Sequence, residues 1–243
     1  GHRRLGGRSP LARTGGEAHA QAVVRRIALL VVLVLALAST SACDPAPPAT
    51  AIRRGPADRR IIALTFDAGS DRGRTVAILD TLKAKGVHAA FGITGSWARA
   101  NPSLIRRMVA EGHLLVNHTD DHRSFTGFST QTRPLTAAQR AAELSGAEAA
   151  VAAVGGPRMA PWFRPPYGDL DDGVLRDVGA AGYRWALLWT VDSLGWKGAT
   201  VPAITERCAK GAVNGAIFLF HVGSASLDGV ALALPALMRA EKL

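Results

Sequence analysis

Cysteine is nearly missing from this chain, with Cys43 and Cys208 the only two in 243 residues. A multi-bridge framework of the kind that holds small secreted domains together is therefore excluded. One 43–208 disulfide stays open in an oxidising compartment, although Cys208 reads more simply as a lone buried thiol. Long apolar runs are scarce too. Residues 27–38 supply twelve apolar residues in a row, and a helix of that length rises about 18 Å, short of a ~30 Å hydrocarbon core. No Gly-x-Ser-x-Gly elbow occurs, which leaves a serine-nucleophile esterase without support, and Gly223-Ser224-Ala225-Ser226 reads as a loop. The body of the chain also lacks a basic stripe with interleaved aromatics. Of the net charge of +10, residues 1–60 hold ten arginines against three acids, whereas residues 61–243 hold 19 basic and 16 acidic groups. So balanced a body disfavours nucleic-acid binding.

What is present divides the chain. Residues 1–24 form a polar arm. Residues 25–42 open on Arg25-Arg26, continue through the apolar run and end in Ser39-Thr40-Ser41-Ala42, the pattern of a signal peptide. Cys43 follows directly, so the junction resembles a lipoprotein cleavage site with Cys43 as the lipidated first mature residue. Thr40 stands where that pattern usually has Leu, and ordinary cleavage after Ala42 is the alternative. Either way the protein is expected to be exported, attached to the cell membrane through Cys43 or secreted. Residues 43–60, rich in Pro, Ala and Arg, read as a tether.

Residues 61–243 read as the folded domain, and an apolar fraction of 48% for the whole chain suits one. Segments 61–66, 87–93, 113–117, 159–163, 183–191 and 216–220 have strand composition. Helical spacing separates them over 73–85, 101–112, 136–154, 172–181 and 202–210, and a last helical face is expected at 232–238. Such alternation predicts an α/β fold with a parallel sheet closed, or nearly closed, into a (β/α) barrel. Asp67, His118, Arg164, Asp192 and His221 each stand directly after an apolar strand, so all five should open on one mouth at the carboxyl ends of the strands. His118 and His122, four apart, can converge on a divalent metal from one helical turn or across a tight loop. Singly, each residue has a plainer explanation: Asp67 and Asp192 as turn caps, Arg164 as a surface charge, His221 as a core histidine. Their joint placement favours a shared site.

Five ordered segments, Thr65-Phe66-Asp67-Ala68-Gly69, His118-Thr119-Asp120-Asp121-His122, Arg164-Pro165-Pro166-Tyr167-Gly168, Asp192-Ser193-Leu194-Gly195-Trp196 and Leu219-Phe220-His221, resemble the motifs of the NodB-type polysaccharide deacetylases, carbohydrate esterase family 4. The resemblance implies a distorted (β/α) barrel and a divalent metal, usually zinc, with cobalt as an alternative. It also implies removal of N-acetyl or O-acetyl groups from a glycan such as peptidoglycan or a chitin-like polymer. By position it makes His118 and His122 metal ligands and Asp67 the general base toward the activated water. Arg164 holds Asp67 ionised, and His221 is the acid for the leaving amine. The backbone N–H of Tyr167 steadies the oxyanion, and Trp196 and Leu219 line the groove. Two departures stand out. Ala68 replaces the Asp that usually supplies a third ligand, leaving Asp67, Asp71 or Asp121 to fill the gap. Gly195 replaces an Asp that tunes the catalytic histidine, a charge Asp192 could take over. A non-catalytic glycan-binding protein is the competing expectation.

Overall fold

Among the described residues, eight short strands, paired in parallel throughout, make one sheet. The computed structural model describes residues 46–69 and 71–223. The arm, the signal segment, Cys43 and the helical face expected at 232–238 lie outside the described residues. The strands are β1 (Thr50–Ile52), β2 (Ala63–Ala68), β3 (Ala90–Ile93), β4 (Leu114–Asn117), β5 (Trp162–Phe163), β6 (Trp185–Leu187), β7 (Val191–Asp192) and β8 (Ile217–His221), and their order in the sheet is β1-β6-β5-β4-β3-β2-β8-β7. The helices are α1 (Thr75–Lys85), α2 (Gly95–Ala100), α3 (Pro102–Ala110), α4 (Ala137–Ala153), α5 (Asp172–Ala180) and α6 (Val201–Gly211). Single 3₁₀ turns stand at Pro166–Gly168 and Gly195–Lys197. None of the described helices is long and apolar enough to cross a membrane.

Alternation along β2 sorts its side chains. Leu64, Phe66 and Ala68 join an apolar cluster with Ile78, Leu79 and Leu82 of α1, so Thr65 and Asp67 point to the other face, into the curl of the sheet. Phe66 stacks between Phe91 and Phe220, each with centroids 5.3 Å away. A second cluster, around Phe125, Phe163, Val174, Val178 and Tyr183, fills the side under α4 and α5. α4 begins where the sequence marks a cap: the Thr136 hydroxyl accepts the Gln139 N–H, and the Gln139 side chain accepts the Thr136 N–H in return.

Two expectations are corrected. The tether assigned to residues 43–60 is built into the domain over its described part. Thr50–Ile52 pairs with Trp185–Leu187 as a sheet edge, Gly55 N–H donates to the Gly215 carbonyl, and Arg54 reaches the Asn214 carbonyl. An edge strand is stabilised by its ladder partner, which three residues beside prolines and arginines do not announce. The run 183–191, expected as one strand, is two. β6 pairs with β1 and β5, β7 pairs with β8, and the link carries Leu188 N–H to the Ile52 carbonyl and Thr190 N–H to the Ile217 carbonyl. From Leu187 to Val191 the chain takes four residue steps and reaches at most about 14 Å. The edge strand β7 is therefore held close to β6, the strand next to the opposite edge, and the sheet has to curl into a nearly closed barrel.

Candidate active site

Asp67 lies near the carboxyl end of β2, and the register places it beside His221 of β8 on one side and Gly92 of β3 on the other. A Cβ on Gly92 would come 2.5 Å from Asp67 Oδ1. Only a glycine there lets the carboxylate settle over the neighbouring strand. Behind Asp67 sits Arg164, 1% exposed. Its Nη1 faces Asp67 Oδ1 at 3.4 Å, its Nη2 donates to Thr65 Oγ1 at 2.9 Å, and its backbone N–H donates to the Asn117 carbonyl at 2.8 Å. Far from being a surface charge, Arg164 is a buried counter-ion anchored to two strands, β2 and β4.

His118 follows β4. Its Nδ1 lies 2.9 Å from the Arg164 carbonyl, which can only accept, so Nδ1 carries the proton and Nε2 presents a lone pair. That Nε2 lies 3.4 Å from Asp67 Oδ2. The His122 ring meets His118 edge-on, with centroids 4.7 Å apart, and meets the Tyr167 ring edge-on as well, also at 4.7 Å. The pair is carried by a tight loop and not by a helical turn. Thr119 and His122 both have positive φ, at 68° and 58°. Two more non-glycine residues at the site do the same, Tyr167 at 61° and Leu194 at 61°, a concentration of strained backbone where side chains are being aimed.

Burial drives the Asp67 carboxyl upward, but Arg164, His118, His221 and His122 together outweigh it and hold Asp67 below the ordinary carboxylate range. For His118 burial is the leading cause and it lowers the imidazole. His122 falls to about 3, from burial first and then from His118. Both imidazoles are neutral at pH 7, the form that ligates metal.

The cleft above these groups encloses about 630 Å³ and is lined by Asp67, His118, His122, Tyr167, Asp192, Trp196, Leu219 and His221. Every site residue read from the sequence is thus at its wall except Arg164, which lies underneath. Asp192 turns its carboxylate to Trp196 Nε1, at 3.3 and 3.2 Å, and to the Leu194 N–H. Trp196 then lies 6.4 Å from the His221 ring. Ser129 and Trp189 also line the cleft, and nothing local in the sequence marks either as a site residue. The same holds for Gly92, whose place at the site comes from strand register.

A divalent ion fits this donor set in part. His118 Nε2 and the His122 ring supply two neutral nitrogen donors, and the buried Asp67 Oδ1 makes no hydrogen bond. Among the described residues no group of three His, Cys, Asp or Glu is arranged to hold an ion, in keeping with Ala68 lying wholly within the apolar cluster. Of the three residues expected to fill the gap, Asp67 alone reaches the cleft. Asp121 is exposed and lies 3.9 Å from Arg99, and Asp71, also exposed, takes part through its carbonyl, which accepts the Trp97 indole N–H.

Residues 54–186 match the family model for polysaccharide deacetylase. The peptidoglycan-N-acetylglucosamine deacetylase PgdA of Listeria monocytogenes is 34% identical over 174 residues, 69% of this chain, and the chain spans about a third (34%) of that relative's length. The chitooligosaccharide deacetylase of Sinorhizobium fredii is 35% identical over 67% of this chain and 72% of its own. The solved structure of Bacillus subtilis PdaA, a family 4 carbohydrate esterase, superposes with a TM-score of 0.69 at 30% identity, covering 79% of each chain. Since the matched region takes in more than half the chain and the curled parallel sheet recurs in solved members, the protein belongs to the polysaccharide deacetylase family, carbohydrate esterase family 4.

Proposed function

We propose that the protein is a metal-dependent deacetylase that hydrolyses N-acetyl or O-acetyl groups of a cell-wall or other extracellular polysaccharide. The observation that carries this reading is the meeting of Asp67, Arg164, His118, His122 and His221 around one cleft at the carboxyl ends of the strands. Relatives named for deacetylating peptidoglycan and chitooligosaccharide support the choice of substrate class.

An unactivated amide is a poor electrophile with a poor leaving group. A divalent ion, zinc or cobalt, held by His118 and His122 supplies Lewis-acid polarisation and a more acidic water. The chain's own groups do the rest. Asp67, ionised beside Arg164, takes a proton from the water that attacks the acetyl carbonyl, and the Tyr167 N–H steadies the developing oxyanion. His221 gives a proton to the departing amine as the C–N bond breaks, leaving acetate and a free amino sugar. Trp196 and Leu219 wall the pocket for the acetyl methyl, with Asp192 holding the indole in place.

Acetate release tests this reading. N-acetylglucosamine oligomers and peptidoglycan, incubated with the purified protein and Zn²⁺ or Co²⁺, should yield acetate that a His118→Ala variant does not. Equal release by both, or none by either, would refute it. Ala68 and Gly195 favour a second reading, a glycan-binding protein without catalysis. Stoichiometric metal that is lost in His122→Ala would count against that one. The same proposal places the protein outside the cytoplasm, tethered through a lipid on Cys43 or secreted. Membrane partitioning of the wild type but not of Cys43→Ser would distinguish the two.

A further inference from the structure

Five consecutive backbone amides, from His118 to His122, each meet an acceptor, and two of them share one. His118 N–H donates to the Ile93 carbonyl at 3.0 Å, Thr119 N–H to Asn117 Oδ1 at 2.9 Å, and His122 N–H to Thr119 Oγ1 at 3.0 Å. Asp120 and Asp121 both donate to Glu143 Oε2, at 3.1 and 3.0 Å. From the opposite side, Gly95 and Ser96 at the start of α2 donate to the carbonyls of Thr119 and Asp120, both at 3.0 Å.

Glu143 is out of keeping with its surroundings. It is 6% exposed on the buried face of α4, among Leu144, Ala147, Val151 and Arg140, whose guanidinium is paired with Asp177. The nearest cation is Arg123, with Nη1 3.8 Å from Oε1. A carboxylate in such a place is costly unless its oxygens are used, and charge-assisted bonds to amides are the strong way of using one. The two amides it gathers lie between His118 and His122, in a loop whose Thr119 and His122 backbones are left-handed.

We propose that Glu143 is a positioning residue for the metal site: by drawing the Asp120 and Asp121 amides onto one oxygen, it fixes the spacing and aim of the two imidazoles before an ion arrives. A loop ordered in advance binds more tightly than one that must be ordered on binding. Groups that orient ligands without touching the ion typically set affinity by one to two orders of magnitude. This inference rests on the metal reading above.

The test is a Co²⁺ titration of the full chain by calorimetry and visible absorption, with thermal unfolding of the metal-free protein in parallel. Glu143→Ala should weaken Co²⁺ binding by roughly 10–100-fold. Glu143→Gln, whose amide oxygen can accept the same two N–H groups, should restore most of the affinity. Glu143→Asp, too short to reach them, should behave like Glu143→Ala and serves in its place if that variant does not fold. If wild-type affinity persists in folded Glu143→Ala or Glu143→Asp, with only the melting temperature lowered, Glu143 is structural and the inference is overturned. If the wild type itself takes up no Co²⁺, the metal reading falls and this inference with it, a result distinct from the first.

Discussion

Asp67 stays ionised because of what surrounds it. Burial alone would raise its pKa, and the Arg164 charge is the largest of the effects that reverse this. In Arg164→Met the burial effect is left less opposed, so Asp67 holds its proton to higher pH. The acid limb of kcat/KM against pH should move upward, and activity at neutral pH should fall by about 10²–10⁴-fold. Breaking so buried a pair should also destabilise the fold by roughly 3–5 kcal/mol, read from urea unfolding. Gly92 makes a second, steric demand. Gly92→Ala puts a methyl against the Asp67 carboxylate, so kcat should drop while stability falls by only about 1–3 kcal/mol. A Gly92→Ala variant with normal kcat would show that Asp67 need not sit where it does. Asp67, His118, His122, Asp192 and His221, which meet at one cleft, were legible in the sequence because each lies in a short motif. Gly92 and Glu143 were not, because their places come from register and from helix packing across the fold.

At the level of elements, two buried networks hold the site loops in place. Asn117, at the end of β4, donates to the Leu144 carbonyl and to Tyr183 Oη. Tyr183 in turn donates to Glu148, which also accepts the Met159 and Ala160 amides. Burial, and then Glu148, push the Tyr183 phenol up, so it remains a donor. Tyr183→Phe should cost about 1–3 kcal/mol, seen as a lower urea midpoint with an unchanged m-value. The second network centres on Asp169, which accepts from the Ser124 and Ser129 hydroxyls and the Ser129 N–H. It joins the cleft-lining Ser129 to the turn that carries Tyr167. Burial raises the Asp169 carboxyl, but these hydrogen bonds more than offset it and the net shift is downward. A group depressed on folding stabilises above its unfolded pKa of about 3.9. That contribution is lost as pH falls through the lower folded value. Wild type should therefore lose stability on acidification below about pH 4, and Asp169→Ala should lose less over the same range. Helix boundaries were readable where chemistry marks them, as at Thr136 and Pro102. The six-residue α2 and the break between β6 and β7 were not, since a change of ladder partner leaves an apolar run looking continuous.

For the molecule as a whole, the site exists because the sheet curls. The link between β6 and β7 joins one edge of the sheet to the strand next to the other, and β1, paired with β6, forms that other edge. Alternating strand and helix composition was enough to anticipate a barrel. It could not show that residues 46–60, which look like a tether, contribute an edge and cross-links to Asn214 and Gly215. A chain beginning at residue 61 should therefore be less stable to urea than one beginning at residue 46, with weaker amide protection in β6. Equal stability would return those residues to the role of a linker. Chelation gives a further whole-protein readout: removing metal should abolish acetate release and leave the fold intact by circular dichroism, because the core clusters do not include the histidine pair.

The most direct measurement is anomalous diffraction at the zinc edge from crystals soaked in Zn²⁺. One peak is expected between the His118 and His122 imidazoles, at ~2.0–2.2 Å from their nitrogens, with Asp67 lining the same pocket. A peak held by other residues, or no peak in a protein that still releases acetate, would contradict the account.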